Sequence, residues 1–414
     1  MTTTGTRTAT VVGGGPAGLM AAEVLATSGV AVTVYEHMPS VGRKLLLAGR
    51  SGLNVTNSEP IEQLLGRYGT AREVLAPAIE SFDVDSVRSW SAGLDEPTFV
   101  GSTGHVFPKS FRATPLLRTW LTRLAALDVK IEVRRRWIGW PQIDHPGALL
   151  ESPDGTITEI HSDVTILALG GASWPRVGSD GTWVDIVRRA GVDVSSLRPA
   201  NCGIEVEWTQ HFRDRFAGVP IKNIAISVGE ASVRGDAMIT RGGLEGGPVY
   251  TQSARIRDAI DQRGRSSVEV DLHPDLDAGQ LAERLARRRP KDSIATTLRR
   301  TIGLTPVEVS LMREVAGDRL STDSDELAAL VKALPLVVTS TMPIDRAIST
   351  AGGIALHEVD AAFMLHRYPG TFVAGEMLDW EAPTGGYLLQ ATFSTAVAAA
   401  NGALRWLGVR ASNR

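Results

Sequence analysis

Apolar and polar residues follow different patterns along the 414-residue chain, and each pattern predicts a different kind of structure. Near the start, the apolar run Ala9 to Val12 precedes a glycine-rich turn and a helical stretch that ends at Gly29. Residues 31 to 36 read as a second strand. Asp163 to Leu169 is an apolar strand of the kind that is buried on both faces of a parallel sheet. This part of the chain therefore predicts alternating strands and helices.

The middle of the chain has a different pattern. From Gly203 to Thr240 apolar and polar residues mostly alternate, which indicates an antiparallel sheet or barrel. From Asp277 to Ala333 the spacing is helical, and Leu334 to Thr339 is again apolar and β-branched. We therefore predict an α/β fold with a Rossmann-like domain built on a parallel sheet, an inserted β-barrel-like domain and a helical subdomain nested in the insert. Their predicted bounds are residues 1–192 with 344–414, 193–276 with 334–343, and 277–333.

The turn after the first strand carries a GxGxxG motif formed by Gly13, Gly15 and Gly18. Gly13 permits a tight turn, Gly15 lets backbone N–H groups approach a pyrophosphate, and Gly18 lets the helix lie close to the sheet. Pro16 and Ala17 open this helix, whose positive end would face the phosphates. The alternative is a glycine-rich loop that merely turns the chain.

The second strand of this unit ends in an acid, Glu36, which follows Gly18 by 18 residues. A carboxylate at this spacing can accept hydrogen bonds from both hydroxyls of an adenosine ribose, and it disfavours a 2′-phosphate. The complete βαβ unit therefore predicts FAD or NAD rather than NADP.

Composition excludes several classes of partner. A net charge of −3 and a pI near 6.3 give no general attraction for nucleic acid or an anionic membrane. The single cysteine, Cys202, excludes an internal disulfide and a multi-cysteine metal site, and we expect no metal. The chain shows neither a signal peptide nor an apolar run long enough to span a bilayer. We therefore expect a cytoplasmic protein that binds neither nucleic acid nor a membrane, of undetermined oligomeric state.

The segment from Val41 to Asn57 reads as an irregular, glycine-containing loop that can wrap the nucleotide. Arg43 and Lys44 can meet the pyrophosphate, and the backbone from Gly49 to Asn54 can approach a ring system. The alternative is an ordinary surface loop.

The C-terminal part of the chain contains a second indication of FAD. A short apolar strand is followed by Gly375 and Glu376, and Gly385-Gly386 opens a long helix. The positive end of that helix would stabilise the charge that develops at the N1 and C2 carbonyl edge of a reduced flavin. Gly170-Gly171, which ends the apolar strand near residue 169, can also lie against the cofactor. A simple helix cap is the alternative for Gly385-Gly386.

Four stretches carry a family signature: Gly-Arg-Lys at 42–44 with Asn-Val-Thr-Asn at 54–57, Gly-His-Val-Phe-Pro at 104–108, Ala-Leu-Gly-Gly-Ala-Ser-Trp-Pro at 168–175, and the long segment 374–390. They resemble the BaiN-like (YhiN-like) family of FAD-dependent oxidoreductases, in the branch with Ala-Gly-x-x-Gly-Leu-Asn. Gly52 and Leu53 stand where the larger family has Arg-Cys, so chemistry that rests on those residues is absent. His105 stands where the family usually has arginine. The resemblance implies a flavoprotein with the inserted domains described above.

In flavoproteins of this type the strand ending at Val133 lies beside the adenine. The residues predicted to contact the cofactor are Gly13, Gly15, Pro16, Ala17, Gly18, Glu36, Arg43, Lys44, Gly49, Asn54, Val133, Gly170, Gly171, Gly375, Glu376, Gly385, Gly386, Tyr387 and Leu388.

The resemblance and the motifs together predict an FAD-dependent oxidoreductase that transfers a hydride through flavin N5 to or from a small organic substrate. The chain has one dinucleotide motif, so NADH or NADPH would dock transiently as electron donor. Tyr387 and His105 are the candidate proton donors. Two alternatives stay open, a flavin-dependent tRNA-modifying enzyme and a non-catalytic flavin-binding protein.

Overall fold

The computed structural model describes residues 6–49, 52–141, 146–317 and 320–410. Its strands are β1 (Thr8–Val12), β2 (Ala31–Glu36), β3 (Thr56–Asn57), β4 (Thr98–Val100), β5 (His105–Pro108), β6 (Lys130–Val133), β7 (Arg136–Gly139), β8 (Gly147–Glu151), β9 (Ile157–His161), β10 (Val164–Leu167), β11 (Val194–Ala200), β12 (Ile204–Glu205), β13 (Pro220–Val228), β14 (Ala231–Ile239), β15 (Gly243–Gly246), β16 (Ser266–Asp271), β17 (Leu334–Val338), β18 (Ser349–Ile354) and β19 (Thr371–Val373). Its helices are α1 (Pro16–Thr27), α2 (Arg43–Ala48), α3 (Ile61–Gly66), α4 (Arg72–Ser81), α5 (Val84–Ala92), α6 (Ala113–Ala126), α7 (Trp183–Arg189), α8 (Gln210–Phe216), α9 (Gly247–Arg263), α10 (Ala278–Leu285), α11 (Ile294–Ile302), α12 (Pro306–Ala316), α13 (Ser324–Lys332) and α14 (Tyr387–Trp406).

The chain divides into two compact units. The first contains the residues up to Arg198 and those from Ile348 onward, and the second is Pro199–Ala347. Within the second unit, helices α10 to α13 share one hydrophobic core with the β-sheet. The three-part division with its bounds stays a prediction.

The first unit is built on a five-stranded parallel sheet with the order β19-β10-β1-β2-β6. The central strands are apolar because both faces are covered: all four residues of β10 are buried, as are four of the five in β1. The βαβ unit has the predicted order, with α1 running from Pro16 to Thr27 between β1 and β2. The predicted parallel Rossmann-like sheet is confirmed.

Helix α1 is fixed to two neighbouring helices by a buried carboxylate. Glu23, 9% exposed, accepts hydrogen bonds from the indole N–H groups of Trp90 at 3.0 Å and Trp120 at 2.6 Å. Its other oxygen accepts from the Arg123 guanidinium at 2.8 Å. Trp90 belongs to α5 and the other two partners to α6, so one side chain connects three helices.

Part of the segment 41–57 differs from the prediction. Arg43–Ala48 is a short helix, where we expected an irregular loop. Gly42 precedes it in the left-handed conformation (φ 69°), and Leu45 is buried. A helix of this length carries a weak periodic signal, and the surrounding glycines and cations obscure it.

The first unit also contains two small antiparallel sheets, with the orders β3-β5-β4 and β7-β8-β9, and β11 pairs with β18 in a further two-stranded sheet. The β7-β8-β9 sheet is a meander, and its β8–β9 turn lies at residues 152–155.

The second unit contains a six-stranded sheet with the order β12-β15-β14-β13-β16-β17, in which each neighbouring pair of strands is antiparallel. Its two edges are joined, because the Glu205 N–H donates to the Ser340 carbonyl at 3.0 Å and the Met342 N–H to the Gly203 carbonyl at 2.9 Å. These bonds close the sheet in a barrel-like manner. Within the described ranges, no helix combines the length and apolar character needed to cross a membrane.

We expect Glu23→Ala to lower the free energy of unfolding by about 2–4 kcal/mol, since it leaves two buried indole N–H groups without an acceptor. The matched control is Glu62→Ala, which removes an ion pair with Arg72 from a side chain that is 73% exposed and should change stability by less than about 0.5 kcal/mol. Urea unfolding of both variants measures the difference. Equal losses of unfolding free energy in the two variants would show that Glu23 does not hold the three helices together.

Candidate functional site

The first unit contains a cavity of about 500 Å³, a volume typical of ligand sites. Segments from both ends of the chain line it. The predicted cofactor residues among its lining are Gly13, Gly15, Pro16, Ala17, Glu36, Arg43, Lys44, Asn54, Gly170, Glu376, Gly385, Gly386 and Leu388.

The turn between β1 and α1 has no room for side chains except on the side of the cavity. A Cβ on Gly13 (φ 108°) would lie 2.2 Å from the Ala168 carbonyl oxygen, and one on Gly18 would lie 1.9 Å from the Gly13 carbonyl oxygen. A Cβ on Gly15, the N-cap of α1, would meet no atom within 4 Å. No side chain caps this helix, so the first N–H groups of α1 are free to bind an anion at this opening.

Glu36 lies at the end of β2, where parallel strands present their carboxyl ends. Its buried carboxylate accepts the backbone N–H of Gly14 at 2.8 Å and that of Met38 at 2.8 Å. The His37 imidazole lies 3.2 Å from the same carboxylate. A carboxylate has about four acceptor positions, so it retains capacity for hydroxyl groups from the cavity.

Helix α2 gives two cations to the wall, and they have different surroundings. The Lys44 ammonium lies 2.6 Å from Glu376 and 2.7 Å from the Ser173 hydroxyl. Glu376 also accepts the Thr350 N–H at 2.9 Å. Lys44 is therefore neutralised by an acid, whereas we expected it to meet a pyrophosphate. Arg43 donates to the Ser40 hydroxyl at 3.3 Å and makes no ion pair among the described residues.

Three buried polar atoms of the cavity lining have no hydrogen-bond partner among the described residues. They are Nε of Arg43, Oδ1 of Asn54 and Oγ of Ser179. Buried polar groups are nearly always satisfied, so these atoms indicate a polar ligand. Together with the open helix N-terminus and the carboxylate of Glu36, they fit a dinucleotide. Ser179 was not predicted from the sequence, because no motif distinguishes it.

The start of α14 forms the opposite wall. Gly385 and Gly386 have φ values of 115° and 104°, which only glycine adopts readily, and a Cβ on Gly386 would lie 2.1 Å from the Thr56 carbonyl oxygen. The Asn57 side chain donates to the Gly385 carbonyl at 3.0 Å. No side chain caps α14, so its N-terminal N–H groups beside Leu388 and Leu389 face the cavity.

Tyr387 does not line the cavity. Its phenol is hydrogen-bonded to the carboxylate of Glu59 and to Arg67, whose Nε donates to Glu59 at 3.0 Å. Burial, with the hydrogen bond to Glu59, raises the pKa of Tyr387 above its ordinary value. Burial also acts to raise the pKa of Glu59, but the hydrogen bonds from Arg67 and Tyr387 outweigh it and hold that pKa low. Glu59 and Arg67 belong to no motif, and the sequence did not predict them.

His105 lies behind the cavity wall at Gly385. A Cβ built on Gly385 would lie 2.7 Å from Nε2 of His105, so the imidazole and the glycine are in close contact. Partial burial lowers the pKa of His105 below its ordinary value, while the negative charge of Glu59 opposes this shift. His105 is the first residue of strand β5.

The other predicted residues support the site from outside its lining. Gly49 packs against Ala113, since a Cβ there would lie 2.5 Å from that side chain. The Gly171 N–H lies 3.4 Å from Glu376, and a Cβ on Gly375 would lie 2.8 Å from Ala17. Val133 pairs with Glu36 at the edge of the sheet.

Residues 7–402 match the family described as the HI0933-like protein Rossmann domain. The chain belongs to this family. Among curated relatives, this HI0933-like protein is 27% identical to a 3-dehydro-bile acid delta(4,6)-reductase of Clostridium scindens, over 93% of this chain and 96% of the relative. It is 22% identical to a ribosomal RNA dihydrouridine synthase of Haemophilus influenzae, over 94% of this chain and 96% of that one.

Among solved structures, the 3-ketosteroid delta1-dehydrogenase of Sterolibacterium denitrificans has a similar fold, with a TM-score of 0.55 and 13% identity over 97% of this chain and all of that one. The comparisons confirm the predicted family, the Rossmann-like fold and the class of FAD-dependent oxidoreductase. They do not support the expected exclusion of nucleic acid, because one relative bears the name of an RNA-modifying enzyme.

We expect the Gly15→Val variant to fold normally, because the new side chain would enter the cavity without touching other protein atoms. Its flavin content should fall at least about tenfold, because the side chain would occupy space that the cofactor needs. The control is Gly242→Val, at another glycine where a Cβ would meet no atom within 4 Å. Flavin absorbance per mole of protein and the melting temperature are measured together. Full flavin content in Gly15→Val would place the nucleotide elsewhere.

Proposed function

We propose that this protein binds FAD in the cavity of the first unit and reduces a carbon–carbon double bond conjugated to a carbonyl group, with NADH or NADPH as transient electron donor. One observation carries the proposal. The glycine turn of α1 and the Gly385-Gly386 turn of α14, from opposite ends of the chain, line one cavity that also contains three unsatisfied polar atoms.

Each part of the cavity suits one part of FAD. Glu36 would accept the hydroxyls of the adenosine ribose, and the N-terminus of α1 with Arg43 would hold the pyrophosphate. The N-terminus of α14 would lie at the electron-rich edge of the flavin, with Asn54 as a further partner. Lys44 and Glu376 would meet the cofactor as a neutral pair.

The names of the relatives favour one type of reaction. One is named for reducing the delta(4,6) bonds of a 3-dehydro bile acid, and the other for making dihydrouridine in ribosomal RNA. Both names describe the saturation of a double bond conjugated to a carbonyl. Reduced flavin, when bound, supplies the hydride for such a reaction. The protein then has to orient the double bond and supply one proton to the carbon next to the carbonyl.

His105 is the better candidate for that proton. It contacts the cavity wall at Gly385, whereas the phenol of Tyr387 is directed to Glu59 and Arg67. In this proposal Tyr387 is a positioning residue that holds the start of α14, together with the Tyr68 hydroxyl, which donates to the Tyr387 carbonyl at 2.8 Å.

An RNA substrate is the second candidate, and the full-length similarity to the ribosomal RNA dihydrouridine synthase favours it. The double bond of uridine is conjugated to a carbonyl, as the double bond of an enone is. The net charge of −3 favours the small-molecule substrate, because RNA binding depends on phosphate neutralisation.

We expect the purified protein to show a yellow flavin band that NADH or NADPH bleaches under anaerobic conditions. Addition of 2-cyclohexen-1-one, a small enone, should then restore the band, and a saturated ketone should not. Stopped-flow absorbance follows both half-reactions. A flavin band that neither nucleotide bleaches would show that NADH and NADPH are not the electron donors. Reoxidation by uridine-containing RNA but not by enones would favour the RNA substrate.

We expect His105→Gln to slow reoxidation by the enone about 10²-fold or more, as loss of a general acid does, without slowing flavin reduction. Protonated His105 is the donor, so the wild-type rate should fall as pH rises through its pKa, which lies below the ordinary value. This dependence should disappear in the variant. Tyr387→Phe, which keeps the aromatic ring, should slow reoxidation by the enone less than about threefold. The reverse ranking would assign the proton to Tyr387.

A further inference from the structure

Three phenylalanines form an exposed aromatic cluster beside the cavity. Phe99 of β4 and Phe107 of β5 are directly paired in the hairpin, and Phe111 follows β5. The ring centroids of Phe107 and Phe111 lie 4.6 Å apart, those of Phe99 and Phe107 5.6 Å, and those of Phe99 and Phe111 6.2 Å. The interplanar angles are 20–26°. The rings are therefore nearly parallel, and their centroids form a triangle rather than a column.

The backbone around this cluster is adapted to these rings. Phe111 has a φ of 62°, a left-handed conformation that is rare for a bulky residue and is typically retained at functional sites. Gly52 makes room for its ring, because a Cβ there would lie 2.6 Å from it. Gly101 does the same for Phe107, where the distance would be 3.2 Å.

The cluster remains exposed despite this arrangement. Phe99 is 39% exposed and Phe111 is 42% exposed, and the other described phenylalanines outside the cluster are less accessible. Gly52, which contacts Phe111, lines the cavity, as does its neighbour Leu53. The aromatic cluster is thus continuous with the wall of the cavity.

We propose that the Phe99, Phe107 and Phe111 cluster binds the ring system of the substrate, and that this substrate is an apolar, polycyclic molecule carrying the conjugated carbonyl. This inference rests on the proposed reduction of a conjugated double bond and specifies its substrate class. Exposed aromatic side chains beside a cavity are typical of ligand-binding surfaces, and three of them supply enough apolar area to contact several fused rings rather than one. Lys109 and Arg112 flank Phe111 and are exposed, so an anionic group on the ring system would find a cation nearby.

Two other occupants fit the surface less well. A stable dimer buries roughly 800 Å² per partner, and three side chains supply only part of that area. Of the other exposed apolar residues, Val100 follows Phe99 in β4, whereas Ile157, Val337 and Trp406 lie on other elements. An RNA strand needs a track of cations along its backbone. Two cations, Lys109 and Arg112, flank the cluster in sequence, and the net charge of the chain is −3, which favours a small ligand over RNA.

The test measures binding separately from turnover. Equilibrium dialysis of the flavin-loaded protein, without NADH or NADPH, gives the affinity for 4-androstene-3,17-dione, a four-ring conjugated ketone. The variants are Phe99→Ser and Phe111→Asn, since asparagine tolerates the left-handed conformation. The control is Ile157→Ser, at an apolar side chain of β9 that is 59% exposed. Flavin content and the melting temperature of every variant are recorded.

We expect both phenylalanine variants to weaken binding of the steroid at least about tenfold, and the control to change it less than about twofold. Turnover of 2-cyclohexen-1-one, which has one ring, should stay within about twofold of the wild-type rate in the Ile157→Ser control. Unchanged steroid affinity in the phenylalanine variants, or no steroid binding at all, would overturn this inference even if enone reduction occurs. Conversely, the wild type could bind the steroid and reduce no enone. Weaker steroid binding in the phenylalanine variants would then support the role of the cluster and overturn the proposed reaction.

Two further measurements address the other occupants. If a short uridine-rich RNA binds and the phenylalanine variants abolish its binding while the steroid has no effect, the occupant is RNA and the inference is wrong. Sedimentation analysis that shows a dimer in the wild type and monomers in Phe99→Ser would likewise assign the surface to a second copy of the chain.

Discussion

The candidate site depends on how closely small residues let three backbone segments approach one another. A side chain on Gly18 would overlap the carbonyl of Gly13, one on Gly13 would overlap that of Ala168, and one on Gly375 would press on Ala17. These contacts bring β1, β10 and the end of β19 against the start of α1. The alanine-rich face of α14 then packs on α1, so the N-termini of both helices lie beside the same cavity.

This packing determines the electrostatics of the cavity. An isolated buried charge is costly, and Glu36, Lys44 and Glu376 of the wall are accordingly partnered. Glu36 accepts two backbone N–H groups, and Lys44 is paired with Glu376. The remaining positive potential comes from the two helix ends and from Arg43. Such an arrangement accommodates a pyrophosphate without leaving an unpaired acid or base in the protein.

Much of the first unit could be predicted because its signals are local. The GxGxxG turn, the strand that ends in Glu36 and the glycine pair before α14 are each determined by a few neighbouring residues. The helix at Arg43–Ala48 could not be predicted in the same way, because six residues give little periodicity. The pairing of Lys44 with Glu376 joins residues distant in sequence, and no local pattern records it.

The same reason explains why the surroundings of the candidate proton donors could not be predicted. Tyr387 follows a glycine pair, which favours a place at the cofactor, but its direction is determined by Glu59 and Arg67, which come from a different segment. His105 follows Gly104, which favours a hairpin tip, whereas pairing with Asn57 puts it inside a strand. The identities of these residues can be read from the sequence, but their orientations depend on the tertiary structure.

Under the two proposals, cofactor binding and substrate choice depend on different parts of this unit. The glycine turns serve any reaction of FAD, so they do not distinguish a steroid-like ring from a nucleobase. The strand that carries His105 also carries Phe107, and both follow the same short hairpin. A substrate stacked on the phenylalanines would therefore have its position fixed relative to the imidazole, because one rigid β-sheet holds both. Under the proposed reaction, a change in the ring surface would alter proton delivery as well as affinity, which couples specificity to rate.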